Sequence, residues 1–230
     1  MRRKSLSVGF AAAGFGLMLA LHAWAFPEVA RQTKLVCATC HSNPAGGAAL
    51  TEPGKAYKAD ATKAPAAGTA KAAEYVGSNK CKMCHFKQHK AWTETRHANA
   101  IASLQKIDDK AAAEMAAKFK VELKGSAMQT AGCVSCHVTG YQLAGGYPAA
   151  DSAKTAALTG VTCESCHGPG SLHVAAPMAE KKKFTNRAVT ANMCTQCHTP
   201  VASPAFKFEE YVKRGVHVVP AAAPAPKTGG

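Results

Sequence analysis

All ten cysteines of the chain fall in one pattern, repeated five times: Cys37-Ala-Thr-Cys40-His41, Cys81-Lys-Met-Cys84-His85, Cys133-Val-Ser-Cys136-His137, Cys163-Glu-Ser-Cys166-His167 and Cys194-Thr-Gln-Cys197-His198. C-x-x-C-H is the attachment signature of c-type haem. The two thiols bond to the two vinyl groups on one edge of the porphyrin, and the next turn of chain sets the imidazole beneath the iron. Zinc sites take four ligands, and ten cysteines with five motif histidines do not divide into Cys₂His₂ sets without further donors. Structural disulfides suit an exported chain but do not explain a histidine after every second cysteine. A thioredoxin-like pair needs a βαβ setting that the sequence lacks. The pattern therefore predicts five covalent haem c groups. Cys37, Cys40, Cys81, Cys84, Cys133, Cys136, Cys163, Cys166, Cys194 and Cys197 are their thioether donors, and His41, His85, His137, His167 and His198 their proximal iron ligands. No catalytic side chain is expected apart from the haems.

Four other histidines follow position 25: His89, His97, His173 and His217. Five irons need five sixth ligands, so within one chain at least one haem lacks a second histidine. His97 lies 12 residues after His85, about 18 Å along a continuous helix, and so should serve a different haem. His173, six residues after His167 near a Gly-Pro-Gly loop, is a second distal candidate. His217 follows every motif and can reach back to an earlier haem or bind one in a neighbouring subunit. His89 is one helical turn from His85 and shares its face, the wrong direction for the same iron. It ligates the N-terminal haem, or it packs or bonds a propionate. The remaining iron takes Met115, Met128, Met178 or Met193, or stays five-coordinate. Methionine would raise its potential, and an open position would bind water or NO.

The elements that position these groups must be short. Leu, Ile, Val and Phe make up only about 14% of the residues after position 25, while alanine supplies 48 of the 230. So little apolar area, with high net charge, marks a chain that cannot close an aliphatic core. Five flat apolar macrocycles fill that role instead. The expected fold is mainly α with much irregular loop, short helices wrapped around stacked haems and no significant sheet. One helix is expected over Cys84 to Gln105, which lacks Gly and Pro, and another over Lys110 to Lys120 behind the N-cap candidates Asp108 and Asp109. Residues 1–25 read as a signal peptide. Arg2, Arg3 and Lys4 precede an apolar run from Val8 to Leu21, and Ala23-Trp24-Ala25 is a small-x-small cleavage site. Residues 26–58 form an N-terminal monohaem unit, 59–73 a linker, 74–219 a tetrahaem domain and 220–230 a disordered tail.

The tetrahaem part carries a specific set of residues. They are Tyr75-Val76-Gly77 before the Cys81 motif, Trp92, His97-Ala98-Asn99-Ala100, Gly132 with the Cys133 motif, and Thr139-Gly140. Val161 with the Cys163 motif, His167-Gly168-Pro169-Gly170 followed by His173, and the Cys194 motif complete it. In these residues the chain resembles the cytochrome c-552/c-554-like tetrahaem family, whose best-known members accept electrons from hydroxylamine oxidoreductase. The resemblance implies electron transfer through closely stacked haems, mostly with two histidine ligands and with one haem five-coordinate. It also implies that His97 and His173 are ligands. The chain departs from the family in its extra N-terminal haem unit and at His89, where such proteins often have tyrosine. The N-terminal unit, with Ala30-Arg31-Gln32-Thr33 before its motif and Gly54-Lys55-Ala56-Tyr57 after it, loosely resembles single-haem modules of other multihaem cytochromes.

The formal charge of +14 suggests nucleic acid or anionic membrane until the haems are counted. Loss of the three signal cations and addition of five ferric haems with ionised propionates bring it to about +6. The expected partners are therefore redox proteins with acidic docking surfaces, with no nucleic acid and no transmembrane segment once the signal is removed. A homo-oligomer or filament is compatible with the sequence. The expected function is a periplasmic, secreted or outer-membrane-associated carrier passing electrons between redox partners. The alternatives are reduction of nitrite, hydroxylamine or NO at an open haem, or a subunit of a conducting filament.

Overall fold

Helices in this chain stop within a few turns, and several begin at a Cys-x-x-Cys-His motif or behind a capping side chain. The computed structural model describes residues 27–63, 65, 66, 71–214 and 217; the signal-peptide and tail expectations lie outside these. The N-terminal unit contains α1 (Pro27–Thr33), α2 (Cys37–Cys40) and α3 (Glu52–Ala59). After the linker come α4 (Ser78–Lys82), α5 (Phe86–Thr93), α6 (Ile101–Lys106), α7 (Asp109–Phe119) and α8 (Ala131–His137). They are followed by α9 (Ser152–Leu158), α10 (Cys163–His167), α11 (Ser171–Ala175), α12 (Ala191–Cys194) and α13 (Phe208–Arg214). The described residues contain no strand, only two isolated bridges, His41 with Leu50 and Val138 with Thr159. The mainly helical, loop-rich fold expected from the sequence is the one observed.

Side-chain caps fix the best-formed starts. Thr51 accepts the Gly54 N–H at the head of α3, Asp108 accepts the Ala111 N–H at the head of α7, and Asp151 accepts the Lys154 N–H at the head of α9. Each such oxygen pairs an amide that has no intrahelical partner. The helix expected over Lys110 to Lys120 thus appears as α7, and Lys120 ends it in the left-handed conformation at φ 55°.

The single helix expected over Cys84 to Gln105 is not formed. It splits into α5 and α6, and His97 stands in the turn between them. Two forces outweigh helix propensity there. The Thr95 side chain bonds locally, donating to the Trp92 carbonyl and accepting the Ala98 N–H, which offers the backbone an alternative to the helical ladder. The segment is also tied to the chain about 65 residues on, because Trp92 Nε1 donates to the Val161 carbonyl and the Val161 N–H donates to the His97 carbonyl. Gly160 permits this approach. A Cβ there would lie 2.5 Å from the Ala98 carbonyl oxygen, and its φ of +90° suits glycine.

Side chains alone build a thin core. Five of the eleven buried apolar residues are alanines, which contribute little transfer free energy each. The one buried cluster joins Ile101, Val134 and Val138, with Leu104, Met128, Tyr141 and Tyr147 packed against it.

Polar contacts do much of the remaining joining. Glu164, inside a haem motif and only 3% exposed, accepts the N–H groups of Val76, Gly77 and Gly170. It thereby ties the chain ahead of the Cys81 motif to the loop after the Cys163 motif. Burial pushes its carboxyl up from the ordinary value, against the three amides that favour the charge. Glu164→Ala leaves those amides without an acceptor. The expected cost is about 2–5 kcal/mol, read as a lower midpoint in guanidinium denaturation.

The N-terminal unit packs on the later segment. Asn43 Nδ2 donates to the Thr185 carbonyl, and Ala45 is buried against Gly168.

Candidate functional site

The structure brings four of the five motifs together in two pairs. The Cys81 thiol lies near that of Cys163, and the Cys136 thiol near that of Cys197. The neighbouring Cys197 thiol holds Cys136 down to about 7 while Cys197 itself is pushed up. Burial raises Cys166, and the charges of Cys194 and Cys163 raise it further. Cys37 in turn lies close to the buried Tyr75. Every thiol is free of disulfide bonds. Attachment edges that meet in this way would set neighbouring macrocycles edge to edge.

The histidines show a second regularity. His85 and His173 have ring centroids 6.2 Å apart, His97 and His198 5.9 Å, and His167 and His217 6.0 Å. A ring in direct contact is closer: Phe206 lies 4.4 Å from His198 at an interplanar angle of 13°. An imidazole nitrogen is about 1.2 Å from its ring centre and about 2 Å from a bound first-row metal, so two opposed ligands have centroids about 6.4 Å apart. Each of the three pairs joins one motif histidine to one distal candidate at a separation that fits a single metal ion between them.

Hydrogen bonds choose the nitrogen that is left for the metal. His167 Nδ1 lies 2.7 Å from the Asn186 carbonyl, His173 Nδ1 2.9 Å from the Lys181 carbonyl and His198 Nδ1 2.9 Å from Ser203 Oγ. His137 Nδ1 is held in the same manner, 2.7 Å from the Ala100 carbonyl. Against a carbonyl, Nδ1 of His137, His167 and His173 is the donor and Nε2 the lone-pair nitrogen, the arrangement that fixes tautomer and ring direction in a metal-binding histidine, while the Ser203 hydroxyl can take either role toward His198. Burial also holds His41, His85, His97 and His198 below their usual pKa, which keeps the imidazole neutral and able to bind iron.

The remaining candidates lie elsewhere. His89 packs against Trp92 at 5.3 Å and faces no motif histidine among the described residues. Met178 is 76% and Met115 39% exposed, Met128 sits against the Ile101 cluster, and Met193 Sδ accepts Asn186 Nδ2. His41 and His137 therefore have no imidazole across from them among the described residues. Sequence reasoning missed Glu164, Lys181, Asn186 and Ser203, which orient the loops and rings. Glu164, Lys181 and Asn186 act through a partner remote from them or through a backbone atom, and Ser203 reaches His198 through its hydroxyl across a five-residue loop.

The donor set fits haem c: paired thiols, an imidazole after each, and apolar walls. Ala38 of the first motif lines a cavity of about 430 Å³ together with Pro44, Leu172, Ala175 and Phe184, and Lys71 and Glu180 also line it. Among the described residues, the only buried side-chain polar atoms without a hydrogen-bond partner are Thr39 Oγ1 and His41 Nδ1, both in that motif. When bound, haem supplies a one-electron iron couple.

Comparison with known proteins agrees. The family described as "Cytochrome c554 and c-prime" matches residues 80–168. Cytochrome c-554 of Nitrosomonas europaea is 43% identical over 98 residues, which is 43% of this chain and 40% of that protein. The chain thus aligns with about two fifths of the length of this curated relative. A solved structure, the reduced state of cytochrome c554 from Nitrosomonas europaea, is 29% identical with a TM-score of 0.48, covering 64% of this chain and 85% of that one. The motifs, the family match and the curated relative support a multihaem c-type cytochrome.

Proposed function

We propose that the chain is a pentahaem electron carrier of the periplasm or cell exterior, passing electrons one at a time between redox proteins. The observation that carries this reading is the set of three imidazole pairs at 5.9–6.2 Å. On it, His173 completes the haem of the Cys81 motif, His97 that of the Cys194 motif and His217 that of the Cys163 motif. Two strong imidazole donors keep an iron low-spin in both oxidation states, so little rearrangement accompanies electron transfer. The protein tunes each couple through axial ligand, hydrogen bonding and burial. The contacts Cys81–Cys163 and Cys136–Cys197 support short steps within two haem pairs. Tyr75 beside Cys37 supports a step to the N-terminal haem. A filament completed by a neighbour's His217 loses its main support, because that ring faces His167 of its own chain.

The periplasmic reading rests on the signal pattern of residues 1–25 and on the thiol chemistry of the motifs. No helix among the described residues is long and apolar enough to cross a membrane. An acidic partner is favoured by Lys80, Lys82, Lys87 and Lys90. They are exposed around the exposed Cys84, Met83 and Phe86, and none of the ion pairs among the described residues involves them.

Pyridine haemochrome analysis of purified protein tests the cofactor count. Five haems per chain are expected, and four or fewer would end the pentahaem reading. In the same preparation, reduction by an acidic flavodoxin should slow several-fold as salt rises from low to physiological strength. A salt-independent rate argues against an acidic partner.

A further inference from the structure

We propose that His41 is the only axial ligand this chain gives the N-terminal haem, and that the opposite face binds a small neutral π-acceptor such as carbon monoxide or nitric oxide in the ferrous state. The proposal rests on the pentahaem reading above and adds the identity of an exchangeable iron.

Every histidine and methionine after position 25 is among the described residues. His97, His173 and His217 each face a different motif histidine at 5.9–6.2 Å. His89, the one distal candidate left, is engaged with Trp92. The five methionines are exposed (Met83, Met115 and Met178), packed in the Ile101 cluster (Met128), or bonded through sulfur to Asn186 (Met193). Among the described residues, then, no imidazole or buried free thioether is left to close the far side of His41.

The near side differs as well. The other four motifs supply three rings whose Nδ1 is bonded to a carbonyl or hydroxyl, those of His137, His167 and His198. His41 Nδ1 is buried and has no such partner. The Gly47 backbone lies near this ring without meeting hydrogen-bond geometry. A ring without that acceptor is a weaker electron donor to iron, and a weaker donor favours the ferrous state, the state that takes carbon monoxide. The cavity beside Ala38 has apolar walls, among them Pro44, Leu172 and Phe184, with Lys71 and Glu180 also lining it, which leaves room for a neutral diatomic. Binding transfers no electron and releases no proton, so no co-reactant is required.

His137 also lacks an imidazole partner, so the intact chain has two irons outside the bis-histidine set. The test is a carbon monoxide titration of the dithionite-reduced holoprotein, with ferric EPR spin quantitation at neutral pH. Two equivalents of carbon monoxide and two high-spin ferric haems per chain are expected. One or none of either overturns the proposal. The Cys37→Ala/Cys40→Ala double variant assigns the site: it should bind one fewer haem and one fewer carbon monoxide, and a variant that still binds two overturns the assignment. Should that variant not fold, the count on the intact chain decides alone. A low-spin spectrum that turns high-spin on dilution places the ligand in a second copy of the chain and equally overturns the proposal. A haem total below five is a failure of the underlying reading and is recognised separately by the haemochrome count.

Discussion

His97→Ala converts one haem per chain from low to high spin while the haemochrome count stays unchanged. The expectation follows from the 5.9 Å separation of His97 and His198. Removal of one imidazole leaves the iron at His198 with a single strong-field ligand. Its thioether bonds and its proximal bond, oriented by Ser203, are untouched. Quantitative EPR should gain a full high-spin equivalent, and a titration should show one couple shifted upward, since loss of a donor ligand disfavours the ferric state. The other couples should move little. His89→Ala is the internal control: that ring touches Trp92 and not a motif histidine, so the spin count should stay as it was. A His89→Ala spectrum that gains a high-spin haem, or a His97→Ala spectrum that does not, refutes the pairing.

Gly168→Ala should undock the N-terminal unit. Gly168 follows the motif histidine His167 and adopts φ 78°, ψ 172°, a region that only glycine enters readily. An added Cβ would lie 1.9 Å from the Ala45 carbonyl oxygen, a backbone atom that cannot rotate away. Conformational strain and overlap together cost roughly 2–6 kcal/mol. Relief of the clash means separating Ala45 from the 167–168 turn, which also breaks the bond from Asn43 to the Thr185 carbonyl. Limited proteolysis should then cut between residues 59 and 73 at least ten-fold faster than in the wild type, while the spectra of the bis-histidine haems persist. Unchanged cleavage would show that this contact does not hold the unit in place.

The five motifs could be read from the sequence because haem attachment is a local demand. Two thiols and an imidazole must lie within one turn and a half of chain, so spacing alone declares them. The caps Asp108 and Thr51 are local for the same reason, each reaching an amide three residues ahead. The break between α5 and α6 was not legible. Thr95–His97 leaves the helix because Trp92 and His97 are bonded to Val161, and no window of neighbouring residues contains that information. Helix propensity, worth a few tenths of a kcal/mol per residue, yields to such tertiary bonds.

If all five motifs carry haem, counting histidines requires that at least one iron lacks a second imidazole within the chain, since the count depends only on composition. Which irons they are could not be counted. His41 and His137 were singled out by where loops bring His97, His173 and His217, each taken to a motif other than the one next before it or, for His173, away from its sequence neighbour His167 to His85. Composition likewise determined that this chain, with about 14% large aliphatic and phenyl residues, needs something besides side chains to fill it. Only the tertiary structure decided that the motifs meet as Cys81 with Cys163 and Cys136 with Cys197. The physical reason is one of range. Covalent attachment is satisfied within five residues, whereas axial pairing and haem-to-haem contact are closures between segments up to a hundred residues apart, set by packing that no local spacing encodes.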